Sequence, residues 1–253
     1  MRLITSLTEK IAISRPVVFT FGTFDGVHLG HQYIFHHVKT LAESLSAATC
    51  ALTFSNHPSE ILFPESPILK LTSDYQKVEL LTPFFDYLID IPFTESIRNL
   101  SAAEFLSCVR ESILFSHIVV GQDVRFGKKS SGDYRVLADS QDFESTFLER
   151  FCVDGTPVSS SYIRRLIQEA KFKEASRFLG RPFSHLLACK EGCIDLKGYV
   201  RPPDGKYAVK VKKDEGWKES FVYLSCGQLT IQDEIVEPIV EPLVQIQYVD
   251  GPL

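Results

Sequence analysis

Pro16-Val17-Val18-Phe19-Thr20-Phe21 runs directly into Gly22-Thr23-Phe24-Asp25-Gly26-Val27-His28-Leu29-Gly30-His31. The first six residues form an unbroken apolar run rich in β-branched and aromatic side chains. That predicts a strand buried on both faces and ended by Gly22. From about His31 the period changes, and Ile34, Phe35, Val38, Leu41, Ala42 and Leu45 share one helical face. The glycines between strand and helix permit positive φ and a close approach of backbone to a ligand. Open α/β sheets bind ligands at such a junction, and the helix start adds N–H groups and a positive dipole end that favour phosphate.

Outward from this junction the alternation continues. Residues 49–54, 87–91 and 117–120 read as further strands. Ser101-Ala102-Ala103-Glu104 is a capping box opening a helix that buries Phe105, Leu106, Val109 and Ile113. Residues 159–170 and 172–179 give helical turns, closed by Gly180 and Pro182. Strand alternating with helix predicts a doubly wound parallel sheet, a Rossmann-like α/β fold. After about residue 185 helical periodicity stops, and residues 207–212, 221–224 and 244–248 read as antiparallel strands. The expected organisation is an α/β domain over 1–185 and a small antiparallel β domain over 186–253. Within the latter, Trp217 marks a hairpin turn, and Glu237-Pro238 and Glu241-Pro242 break an edge strand.

Composition narrows the function classes. A net charge of −5 with no long basic run argues against a nucleic-acid binder. The N-terminal residues lack an apolar signal core, and no apolar stretch is long enough to span a bilayer, so a cytoplasmic protein without membrane partners is expected. The six cysteines form no CxxC pair and read as reduced, mostly buried thiols. His185, Cys189 and Cys193 are spaced in fours, but no fourth ligand accompanies them, and no protein metal site is assigned.

The chemistry concentrates in two places. His28 and His31 are three apart, so both imidazoles can face the same way beside a helix N-terminus. Such a pair suits triphosphate oxygens and can stabilise charge gathering at the α-phosphate as pyrophosphate leaves. A phosphate acting as nucleophile is already ionised and needs alignment rather than a general base. Near the other end of the expected domain, Ser159-Ser160-Ser161 precedes Arg164 by one helical turn. Serines there are ordinary helix caps. The arginine on the same turn adds a second phosphate clamp.

Together these motifs resemble the nucleotidyltransferase superfamily. The longer resemblance is to the bacterial bifunctional riboflavin kinase/FMN adenylyltransferase (FAD synthetase) family, whose G-x-F-D-G-V-H-x-G-H hallmark stands intact from Gly22 to His31. Further landmarks follow in order. They are Thr53-Phe54-Ser55-Asn56-His57-Pro58, Leu71-Thr72 with Lys77, Leu100-Ser101 with Glu104-Phe105, Val120-Gly121-Gln122-Asp123-Val124-Arg125-Phe126-Gly127, Gly132-Asp133 and Leu179-Gly180-Arg181-Pro182. The resemblance implies ATP and FMN as substrates, with Mg²⁺ carried mainly by the triphosphate. His28, His31 and Arg164 would be catalytic, and Gly22, Phe24, Asp25, Gly26, Gly30, Ser159 and Ser160 would bind ATP. Asn56, His57, Asp123, Arg125, Phe126 and Gly127 would bind FMN. Val124 stands where the family usually has Phe, and Ser55-Asn56 where an acidic-Pro pair is commoner.

The C-terminal third departs further. The family's kinase barrel carries a Pro-Thr-Ala-Asn segment that holds Mg²⁺ and ATP phosphates. No Pro-Thr dipeptide occurs in this chain, and between Phe183 and Leu253 Thr230 is the sole threonine and asparagine is absent. Pro202-Pro203-Asp204-Gly205-Lys206-Tyr207-Ala208-Val209 does resemble the barrel's strand-turn pattern. The expected activity is therefore FMN adenylyl transfer, with a shortened barrel lacking kinase chemistry. The alternatives are a bifunctional enzyme that also phosphorylates riboflavin, and an inactive flavin- or nucleotide-binding regulator.

Overall fold

The computed structural model describes residues 1–190, 193–213, 216–231 and 243–252. They divide into two compact units. One comprises Met1–Ile68 with Val78–Cys152, the other Leu69–Lys77 with Val153–Leu253.

The first unit is built on a six-stranded sheet of β1 (Arg2–Ile4), β2 (Val17–Phe21), β3 (Ala48–Phe54), β4 (Tyr87–Ile91), β5 (His117–Gly121) and β6 (Glu144–Leu148), in the order β1-β4-β3-β2-β5-β6. Every pairing is parallel. All residues of β2 and β3 are buried, as expected of central strands covered on both faces. Helix α1 (Leu29–Ser44) covers one face, its Phe35, Val38 and Ala42 packing with Val18, Ala51, Leu88 and Val119. Leu45, expected on that face, is the exposed C-cap. The opposite face carries Phe19, Phe21, Leu52, Ile89 and Val120 beneath Phe105, Leu106 and Val109. Those three belong to a helix over Ala102–Ser112, which begins with the expected capping box: Glu104 N–H donates to Ser101 Oγ (3.2 Å) and Ser101 N–H to Glu104 Oε2 (2.7 Å).

The second unit contains α2 (Ser160–Gln168) and α3 (Phe172–Leu179), the latter closed by Gly180 at φ 72°. Its six-stranded sheet is made of β7 (Ser184–Ala188), β8 (Cys193–Asp195), β9 (Gly205–Lys213), β10 (Gly216–Ser225), β11 (Gln228–Ile231) and β12 (Leu243–Pro252). The order is β8-β11-β10-β9-β12-β7, antiparallel throughout. The end of helical periodicity marks a change of secondary structure near 185, but the compact units part at Cys152 and Val153. Packing explains the difference: Phe172 of α3 is buried and stacks on Tyr248 of β12, ring centroids 4.7 Å apart.

Three further expectations meet the structure here. Trp217 marks the expected hairpin from its second arm: it lies within β10 opposite Lys212, one pair from Lys213 and Gly216 where β9 and β10 meet. Glu237-Pro238 and Glu241-Pro242 lie outside the described residues. Of the six free cysteines only Cys50 is buried, while Cys152, Cys193 and Cys226 are exposed because they fall on short strands and turns outside the core. Burial pushes the Cys50 thiol up, leaving it an inert packing group.

Candidate active site

In the first unit the chain leaves β2 through α1 to reach β3 on one side, and later returns to pair β5 on the other. The crevice at the carboxyl ends of β2 and β5 is therefore a topological switch point, where open α/β sheets bind ligands. Among the loops that leave this edge are residues 22–28 after β2, 55–58 after β3 and 122–127 after β5.

The first loop is tightly determined. Phe24 (φ 48°), Gly26 (φ 84°) and Val27 (φ 40°) all adopt left-handed backbone. For Phe and especially β-branched Val that costs about 1–3 kcal/mol each, and it persists only where the surroundings over-determine it. Here Gly22 N–H donates to the Leu52 carbonyl (3.0 Å) and Val27 N–H to that of Phe24 (3.1 Å). Thr53 Oγ1, fully buried, donates to the Thr23 carbonyl (3.0 Å), and Gln32 Nε2 to the Val27 carbonyl (2.9 Å). The buried Phe24 ring stands edge-on to Phe35 (4.9 Å) and His31 (5.3 Å). A Cβ on Gly22 would meet that ring at 2.8 Å, which is why the strand must end in glycine.

His28 is the N-cap of α1 and is 5% exposed. Its Nδ1 accepts the His31 N–H (3.3 Å), so when the ring is uncharged its proton sits on Nε2. The His28 and His31 rings stack at 3.6 Å with an interplanar angle of 17°. Two imidazoles at the positive end of a 16-residue helix make a compact group for phosphate oxygens. Gly22, Phe24, Asp25, Gly26 and Gly30 all lie on this loop or the first turn, with Asp25 buried.

The residues expected to bind FMN divide by role. Asn56 ties two strand ends together: Nδ2 donates to the Phe93 carbonyl (3.1 Å) and Oδ1 accepts the Phe93 N–H (2.6 Å). His57 Nδ1 is held by the Ser59 hydroxyl (2.7 Å) and the Ser59 N–H (3.2 Å). Asp123 is exposed and paired with Arg150 (2.9 Å), and exposed Arg125 donates to the Val124 carbonyl (3.0 Å). Phe126 is buried against Phe21 (5.3 Å) and Phe105 (6.0 Å). Gly127 (φ 71°) lies so close to Ala102 that a Cβ would fall 2.6 Å from its nitrogen. The last two thus shape the loop, while Asp123 and Arg125 face outward. Gln32, Thr53 and Phe93 are supporting residues that the sequence reading did not assign to the site.

In the second unit Ser159 is the N-cap of α2, its Oγ accepting the Tyr162 N–H (3.2 Å), and Ser160 is the first helical residue. Half-buried Arg164 donates from Nε to the Leu69 carbonyl (2.7 Å). Among the described residues no group of three or more His, Cys, Asp or Glu side chains could hold a metal ion. His185 instead donates from Nε2 to the Val200 carbonyl (3.0 Å) inside the second sheet. No helix among the described residues is long and apolar enough to cross a membrane.

A parallel sheet with a strained glycine loop and paired histidines at its switch point is the arrangement expected of an α/β nucleotidyltransferase, and the relatives place the chain in that class. A family model described as FAD synthetase matches residues 10–162. The chain belongs to the FAD synthetase family. It is 33% identical over 234 residues to the bifunctional riboflavin kinase/FMN adenylyltransferase of Pseudomonas fluorescens, covering 86% of this chain and 75% of that one. A FAD synthetase of Listeria monocytogenes is 30% identical over 200 residues, covering 77% of this chain and 81% of that one. The fold recurs in a crystal structure titled as a macrolide-efflux protein from Streptococcus pneumoniae. That likeness has a TM-score of 0.82 at 23% identity and covers 98% of both chains.

Proposed function

We propose that this protein transfers the adenylyl group of ATP to the phosphate of FMN, giving FAD and pyrophosphate in the cytoplasm. The stacked His28–His31 pair at the helix start is the observation that carries this reading. A phosphate oxygen of FMN attacks the α-phosphorus of ATP, a P–O bond forms, and the bond to the β-phosphate oxygen breaks with its electron pair leaving on pyrophosphate. His28 and His31 stabilise the charge that gathers on the triphosphate oxygens. Gly22, Phe24, Asp25, Gly26 and Gly30 shape the loop that receives ATP, and Ser159, Ser160 and Arg164 serve its phosphates. Asp123, Arg125 and His57 serve FMN, with Asn56, Phe126 and Gly127 holding their loops. Mg²⁺ bound with ATP would supply neutralisation of the triphosphate charge, beside His28, His31 and Arg164.

The second sheet is read as a counterpart of the family's kinase barrel in which the Pro-Thr-Ala-Asn segment does not occur. The adenylyltransferase region is taken as residues 1–185. The likeness to a relative named FAD synthetase alone supports a single activity, whereas the bifunctional name of the Pseudomonas relative is the reason to test for two. Purified protein incubated with ATP, Mg²⁺ and either FMN or riboflavin decides it. FAD should form from FMN, and no FMN should form from riboflavin. Failure with FMN while another phosphorylated acceptor is adenylylated would remove the substrate assignment. ATP-dependent FMN formation would restore the bifunctional reading.

A further inference from the structure

Leu69–Lys77 lies in sequence between β3 and β4 of the parallel sheet, yet it belongs to the second unit. It is fastened there along its length. Lys70 N–H donates to the Gly198 carbonyl and Val200 N–H to the Lys70 carbonyl, both at 2.9 Å. Ser73 Oγ donates to the Leu186 carbonyl (2.6 Å) and accepts the Gln76 N–H (3.2 Å). Gln76 Nε2 donates to both the carbonyl (3.0 Å) and the hydroxyl (2.9 Å) of Ser184. Ser73 and Gln76 are 4% and 2% exposed, so these bonds are shielded from competing water. At its leading end, the Leu69 carbonyl accepts from Arg164 Nε at 2.7 Å.

A guanidinium is planar, so fixing Nε restricts the plane in which Nη1 and Nη2 present their donors. Leu69 is one residue from the Lys70 pairing, and β7 holds the strap again through Ser184 and Leu186. We propose that Leu69–Lys77 is a positioning strap for Arg164, and that the second sheet serves adenylyl transfer by holding this strap in register. The inference rests on the phosphate role given to Arg164 above. It assigns the second sheet a task that needs no kinase motif and makes Ser73 and Gln76 positioning residues.

The test is a double-mutant cycle on the full-length protein, with kcat and the KM for FMN measured and thermal unfolding followed in parallel. Ser73→Ala with Gln76→Met should lower kcat about tenfold, since small misplacement of a charge-stabilising group is costly, while the KM for FMN stays near its native value. In an Arg164→Ala background the same pair should lower kcat by less than about twofold, because the residue through which it acts is gone. Ser73→Ala alone removes a single hydroxyl and should give a smaller loss with the same dependence on Arg164. Equal losses in both backgrounds would mark general structural damage and overturn the strap. Unchanged kcat in the strap variants would overturn it too. Native kcat in Arg164→Ala itself would remove the phosphate role of Arg164 and the strap's role with it.

Discussion

His28 and His185 are buried to similar degrees, at 5% and 2% exposed, yet the chain treats them in opposite ways. His28 caps a helix at a sheet's carboxyl edge, beside a loop with three left-handed residues, and stacks on a second imidazole. His185 sits inside the antiparallel sheet of the second unit, edge-on to Phe183 (4.8 Å) and Tyr248 (5.7 Å), with its Nε2–H spent on a backbone carbonyl. Burial therefore does not separate the histidine proposed to act on phosphate from the packed one. Backbone strain held in place by several hydrogen bonds, next to a helix N-terminus, does.

The comparison breaks most visibly through the first region. His28→Ala or His31→Ala should lower kcat by about one hundredfold or more, as loss of a preorganised charge-stabilising donor does. FMN binding, followed by flavin fluorescence, should change little. Near-native turnover in both variants would misplace the chemistry.

A smaller effect comes from the loop that carries them. Gly22→Ala drives a methyl into the Phe24 ring, and that ring stands against His31. Overpacking of this kind costs about 1–3 kcal/mol. Displacement of the His31 ring should lower kcat about tenfold. Unchanged melting temperature and kcat would show that ring and glycine are not interlocked.

The smallest effect belongs to His185 and involves a single proton. Burial lowers its pKa from 6.5 to about 4, with its hydrogen bond to Val200 pulling the other way. Between those values the unfolded chain binds a proton that the folded chain does not, so stability falls as pH drops from about 6.5 towards about 4. Below the folded value both states are protonated and this contribution stops changing. His185→Phe should remove that part of the acid slope in denaturant unfolding. An unaltered slope would mean that His185 is charged in the folded protein.

What the sequence made legible follows from the same contrast. Val17–Phe21 and Ala48–Phe54 are apolar throughout because parallel strands are covered on both faces, so the sheet and its first loop could be read directly. β1 has only three residues and β6 is Glu-Ser-Thr-Phe-Leu, half polar, and neither carries a period that distinguishes a strand. Phe126 reads the same in sequence whether its ring faces a flavin or the core, and only packing puts it against Phe21 and Phe105. The strap was illegible because its bonds join Ser73 to Leu186 and Gln76 to Ser184, more than one hundred residues apart, largely through backbone carbonyls that no side-chain pattern announces.

If the histidine loop acts on the α-phosphate of ATP, the position of an isotope in the products reports it. FMN is incubated with the protein, Mg²⁺ and ATP labelled at either the α- or the γ-phosphorus, and the flavin product is separated. The α-label should appear in FAD and the γ-label in pyrophosphate. Label from the γ-position in the flavin, with ADP formed in step, would contradict action at the α-phosphate.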